Sequence, residues 1–115
     1  MNYPEFYKRV RSTMIQYSKE SPDTMAAFMQ LHQAGTTEGI LSAKVKELIA
    51  LGIAITVRCD GCIAFHVHDA LVAGAKHEEI VEAIGVAITM GGGPSVIYGS
   101  QALEALKEFE AKGMK

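Results

Sequence analysis

The stretch LIALGIAITV, Leu48 to Val57, constrains the fold more than any other part of the chain. A helix formed here is apolar on every face, so neighbouring elements have to wrap it. It falls well short of the ~20 residues needed to cross a bilayer, so it reads as the buried core helix of a globular protein. The remaining sequence can supply the wrapping. Pro and Gly divide it into blocks with apolar residues at helical spacing, and no segment keeps a clean period-2 alternation. The expected fold class is all-α, a bundle of about six helices in a single domain over residues 1–115.

The first block runs from Pro4 to Lys19 with Phe6, Val10, Met14 and Tyr17 on one stripe. Ser21 offers an N-cap and Pro22 an N1 residue for the second, which carries Met25, Phe28, Met29 and Leu31 and stops near Gly35. Ser42 caps a third helix from Ala43 to about Val57. The fourth runs from near Asp60 to Ala73 and ends at Gly74. KHEEIVEAIGVAITMGG forms the fifth, with Ile80, Ile84, Ala87 and Ile88 in register and glutamates in its first turn. Pro94 opens the sixth, which closes at Gly113. MGGGPS lacks the lysine and the preceding strand of a phosphate loop, so it reads as a helix break. The third, fifth and early sixth helices are apolar on more than one face. A 115-residue bundle cannot hide all of that surface, which points to a homo-oligomer.

A net charge of −2 gives no electrostatic case for nucleic acid. No apolar run approaches 18 residues, so no membrane partner is expected either. The N-terminal MNYPEFYKRVRS has no apolar core of a signal peptide, and a cytoplasmic location is the expectation. In that compartment a CxxC pair is redox-active or metal-binding rather than a structural staple.

That pair lies in RCDGCIAFHVH, Arg58 to His68, and comprises the only cysteines in the chain. With Cys59 at or just before the start of the fourth helix, Cys62 falls in its first turn. Positions 59, 62 and 66 then share one face. Cys62 and His66 form an i,i+4 pair in which an imidazole can assist a thiol. The thiolate is the nucleophile, and both a helix N-terminus and a neighbouring imidazole favour it. A second cysteine lets a sulfenic acid close to a disulfide before it over-oxidises. The helix dipole favours Cys59 as the nucleophile and the base favours Cys62, so spacing leaves the choice open. Glu47 also has two readings. A carboxylate entering so apolar a helix must be paired or protonated, which suits a proton relay; beside Lys44 and Lys46 it can equally be a surface residue. Asp69 can orient His66 or be a solvated helix carboxylate. His68 points away as a surface or interface residue, and neither His32 nor His77 has a partner in sequence. A zinc module built from Cys59, Cys62, His66 and either Glu47 or His68 is the alternative, although structural zinc sites usually pair two separated ligand clusters. A redox-sensing scaffold without turnover would use the same residues. A thioredoxin-like arrangement is excluded by the missing βαβ context.

Glu47, eleven residues, Cys59, two residues, Cys62, three residues, His66: this E-x11-C-x2-C-x3-H pattern resembles that of AhpD-like alkylhydroperoxidases of the carboxymuconolactone decarboxylase superfamily. The flanking KVKELIALGIAI and CIAFHVHDALVAGAKHEEIVEAIGVAITMGGGP agree, and the resemblance spans roughly Leu41 to Leu106. It implies an all-helical fold with the cysteines at a helix start, assembled as trimers or hexamers. It further implies that Cys62 attacks peroxide and passes through sulfenic acid. Cys59 then resolves it to a disulfide and takes part in proton transfer, while His66 and Glu47 complete the relay. No cofactor and no metal are implied. The expected function is that of a thiol-dependent peroxidase, peroxiredoxin-like and antioxidant, or of a disulfide reductase. The substrate would be a hydroperoxide or small disulfide and the reductant a thiol or lipoyl-type partner. AhpD proper is longer, with the helical unit duplicated. The decarboxylases that name the superfamily lack the cysteine pair.

Overall fold

The computed structural model describes residues 1–114 and consists of six α-helices, with no strand among the described residues. Helix α1 spans Tyr3–Glu20, one residue beyond the expected block at each end, because Asn2 caps it by accepting from the Glu5 amide at 3.1 Å. Helix α2 is Pro22–Thr36 and runs through Gly35. Ser21 stands at its N-cap position, but its hydroxyl bonds Thr24 Oγ1 at 2.9 Å rather than a backbone amide. Helix α3 is Ala43–Thr56, capped as expected by Ser42, whose Oγ accepts from the Val45 amide at 3.1 Å. Helix α4 is Asp60–Val72, α5 His77–Gly91 and α6 Gly93–Ala111. The Glu79 carboxylate caps α5 by accepting from the Lys76 amide at 2.8 Å. Lys44 reaches that same carboxylate from α3 at 2.9 Å and holds it below the usual carboxylate range.

Helix α3 lies against α4, α5 and α6, and the core forms where they meet. Leu51, Ala54 and Ile55 of α3 pack with Ile63, Ala64 and Val67 of α4. Ile80, Ile84 and Ala87 of α5 and Ala102, Ala105, Leu106 and Phe109 of α6 close the other sides. Helix α1 contributes Tyr3, which is 2% exposed, with Phe6 and Tyr7 packed at the margin. Tyr17, expected on the same stripe as Phe6, is half exposed because α1 runs past the edge of the core.

Two apolar surfaces stay open. The second half of α3 is not wrapped within the chain: Ile49, Ile53 and Val57 are exposed. With Val86 and Met90 of α5, the first two line an apolar groove of 430 Å³. Three neighbouring helices cover only one side of α3. Helix α2 contributes no residue to the core. It packs on α1 and touches α3 lightly, and Phe28, Met29 and Leu31 face outward.

Candidate active site

Between α3 and α4 the chain reverses in three residues, Val57, Arg58 and Cys59. The Cys59 amide donates to the Ala54 carbonyl at 3.2 Å, closing α3 as a Schellman turn. That turn needs a left-handed residue, and Arg58 supplies it at φ 60°, the one non-glycine with positive φ among the described residues. The same turn ends α4 at Gly74, φ 94°. The tight reversal delivers Cys59 to the N-cap of α4. There its Sγ accepts from the Cys62 amide at 3.2 Å. Cys59 and Cys62 are joined in a disulfide with Cα atoms 5.2 Å apart. The expectation of a cysteine cap with its partner in the first turn is met.

Glu47 lies one turn before Leu51 on the inner side of α3 and is 7% exposed, so the surface reading is ruled out. Lys44 and Lys46 are engaged elsewhere, Lys44 with Glu79 and Lys46 with the Thr37 carbonyl at 2.8 Å. The partner of Glu47 is His66: Nδ1 lies 2.8 Å from Oε1. Against a carboxylate, Nδ1 carries the hydrogen and donates, which leaves Nε2 as the basic nitrogen. In the disulfide state His66 makes this hydrogen bond and none to either sulfur.

Asp69 does not orient His66. Its Oδ1 pairs with His68 Nδ1 at 2.9 Å. His68 is no free surface residue: its ring stacks on Tyr7 at 4.2 Å and meets Phe109 edge-on at 5.7 Å. Burial, together with the Asp69 charge, pushes the Tyr7 hydroxyl above its ordinary pKa. His77 pairs with Glu110 across the ends of α5 and α6 at 3.0 Å. His32 of α2 comes to the site itself, its ring 6.4 Å from that of His66 and roughly parallel to it. Neither His32 nor Arg58 was singled out from sequence. The first arrives by tertiary packing alone. The second signalled only that a helix ended at a residue that is not glycine.

The arrangement can take up two electrons at the disulfide, giving a dithiol, and can move a proton along an imidazole–carboxylate pair whose carboxylate is buried. The relatives place it among known proteins. Residues 22–107 match the model of the carboxymuconolactone decarboxylase family. An uncharacterized protein of Cupriavidus necator is 44% identical over 71% of this chain and 73% of its own length. The apo crystal structure of a carboxymuconolactone decarboxylase family protein from Legionella pneumophila superposes with a TM-score of 0.90 at 41% identity, covering 93% of this chain and 96% of that one. A family protein from Thermotoga maritima, whose description suggests involvement in an antioxidative response, superposes at 0.73 with 32% identity, over 78% of this chain and 93% of its own. With three-quarters of its length inside the family model and such relatives on both sides, this chain belongs to the carboxymuconolactone decarboxylase family.

Proposed function

We propose that the protein is a thiol-dependent peroxidase of the AhpD-like type, cycling Cys59 and Cys62 between dithiol and disulfide. The observation that carries this reading is the pairing of the buried Glu47 of α3 with His66, four residues beyond Cys62 on α4, in a helix that starts with a CxxC disulfide. The antioxidative role suggested for the Thermotoga maritima relative points the same way.

In the reduced protein His66 Nε2 takes the Cys62 proton. The Cys62 thiolate then attacks the distal oxygen of a hydroperoxide, and the O–O bond breaks. Cys62 becomes a sulfenic acid, and the alkoxide leaves with the proton returned by His66. Glu47 holds His66 by Nδ1 and stabilises the imidazolium formed in between. Cys59, lying at the helix start, gives up its proton and attacks the Cys62 sulfur as thiolate; the S–O bond breaks, and the sulfenic hydroxyl takes up that proton and departs as water. A dithiol reductant of thiol or lipoyl type returns the two electrons.

The test is a thiol count before and after one equivalent of hydroperoxide on wild type, Cys59→Ser and Cys62→Ser. Wild type is expected to lose two thiols. The Cys59→Ser variant is expected to form a sulfenic acid that a dimedone-type probe traps, and Cys62→Ser to form none. Sulfenic acid trapped in Cys62→Ser alone would reverse the two cysteine roles. No thiol loss in wild type would remove the peroxidase reading.

A further inference from the structure

The His32 ring is partly buried beside His66, and among the described residues no hydrogen bond engages it. One of its ring nitrogens, a Glu47 oxygen and an Asp69 oxygen all lie within 4.8 Å of one another. We propose that His32, Glu47 and Asp69 form a site for a divalent first-row transition-metal ion of the zinc class, one that uses neither cysteine.

Three features support it. The donors are an imidazole and two carboxylates, a set that suits such ions at bond lengths of about 2.0–2.2 Å. Donors bound at such lengths around a tetrahedral ion stand about 3.5 Å from one another, so the cluster, within 4.8 Å, would contract to take the ion. Each carboxylate is also held from behind by a second imidazole, Glu47 Oε1 by His66 and Asp69 Oδ1 by His68, and keeps its other oxygen free of hydrogen bonds among the described residues. Outer contacts of this kind orient metal ligands. Finally, two carboxylates converge where Glu47 is nearly withdrawn from water, and the lysines of its own helix are engaged elsewhere. A cation between them offsets their repulsion.

The three donors come from three helices, α2, α3 and α4. An ion would therefore clip α2, which contributes nothing to the core, onto the rest of the fold. The site differs from the Cys59, Cys62 and His66 module considered from sequence and departs from the expectation of no metal. In sequence His32 had no partner, and Asp69 was read as solvated or turned to His66. If Glu47 relays protons as proposed above, an ion on it also slows thiol oxidation.

The test uses the oxidised protein, in which the disulfide leaves no thiolate to compete. Zinc(II) titrated calorimetrically is expected to bind at one ion per chain. Cobalt(II) should give ligand-field bands without a thiolate charge-transfer band. His32→Ala and Asp69→Asn should each weaken zinc binding by at least about tenfold. Circular dichroism of the metal-free variants should match wild type, since α2 holds no core residue. A protease cut within α2 should slow when zinc is added to wild type and stay unchanged in His32→Ala. No saturable binding by the oxidised wild type would overturn the proposal. So would unchanged affinity in both variants, or binding confined to the reduced protein with a thiolate band.

Discussion

Glu47 and His66 stand 19 residues apart in the chain and 2.8 Å apart in space. Their pairing makes a carboxylate inside an apolar helix tolerable, because a buried charge needs a hydrogen-bonding partner. Glu47→Gln keeps the shape and an acceptor oxygen but removes the charge that stabilises an imidazolium. Single-turnover sulfenic acid formation at neutral pH should fall by about 10²-fold, the low end for an acid–base group, with the fold intact by circular dichroism. An unchanged rate would reduce Glu47 to a packing role. Tyr3 makes a separate prediction. Burial pushes its hydroxyl up to about 12, with Asp60, Glu104 and Glu108 adding to the shift. A pKa raised in the folded state means stability that is complete below the unfolded value near 10 and drains away as pH climbs towards 12. Tyr3→Phe should flatten that alkaline limb in denaturant melts and leave the neutral range to report only the loss of the hydroxyl. Of the residues at the site, sequence could name Cys59, Cys62 and His66 together because a single helix carries them. Glu47 stayed ambiguous because helical spacing says nothing about a partner on another helix, and His32 was out of reach for the same reason.

The helices themselves were legible to within a residue or two, and the reason is chemical. Ser42, Pro22, Gly74 and the MGGGPS break are local signals, and local hydrogen bonding fixes where a helix starts and stops. The end of α3 is the instructive case. Its Schellman turn places Arg58 at φ 60°, where a β-carbon costs about 1–2 kcal/mol. Arg58→Gly should raise stability by roughly 0.5–1 kcal/mol after the added freedom of the unfolded chain is subtracted. Urea melts at fixed protein concentration would read this, and a loss of stability would mean that the guanidinium holds the turn. The α5–α6 contact makes the opposite prediction. A β-carbon on Gly99 would lie 2.9 Å from Ile84 Cγ2 and 3.4 Å from Ile88, so the Ile84 side chain or α6 itself has to shift to admit it. Gly99→Ala should cost about 1–3 kcal/mol, the range for overpacking. Partners, unlike ends, are not written in local signals. Met25, Phe28, Met29 and Leu31 are the apolar residues of α2, yet none is buried, and Phe28, Met29 and Leu31 are 50%, 46% and 69% exposed. Apolar spacing reports that a face needs covering, not whether the same chain covers it.

At the scale of the whole molecule that uncovered surface becomes a quantity. The chain exposes 7020 Å², about 900 Å² more than the ~6,100 Å² typical of a folded monomer of 12.4 kDa. If some 60% of the excess is apolar, covering it contributes roughly 13 kcal/mol at about 25 cal/mol per Å², before the costs of association. The groove between α3 and α5 and the outer face of α2 are where it concentrates. We therefore expect a closed homo-oligomer, with trimer or hexamer as the sizes suggested by the AhpD resemblance. Ile53 and Val57 lie on the last turn and a half before Cys59, so an interface over them runs up to the disulfide. Sedimentation equilibrium at micromolar concentration should give a mass several times 12.4 kDa for wild type. Ile53→Glu, which places a charge in the groove without touching the core, should shift the distribution to smaller species. If the redox site borders the interface, the same substitution should also change the rate at which a small dithiol reduces Cys59–Cys62. A smaller assembly with an unaltered reduction rate would separate the interface from the chemistry. A wild-type mass near 12.4 kDa would mean that these helix faces meet water by default and that the bundle needs no partner.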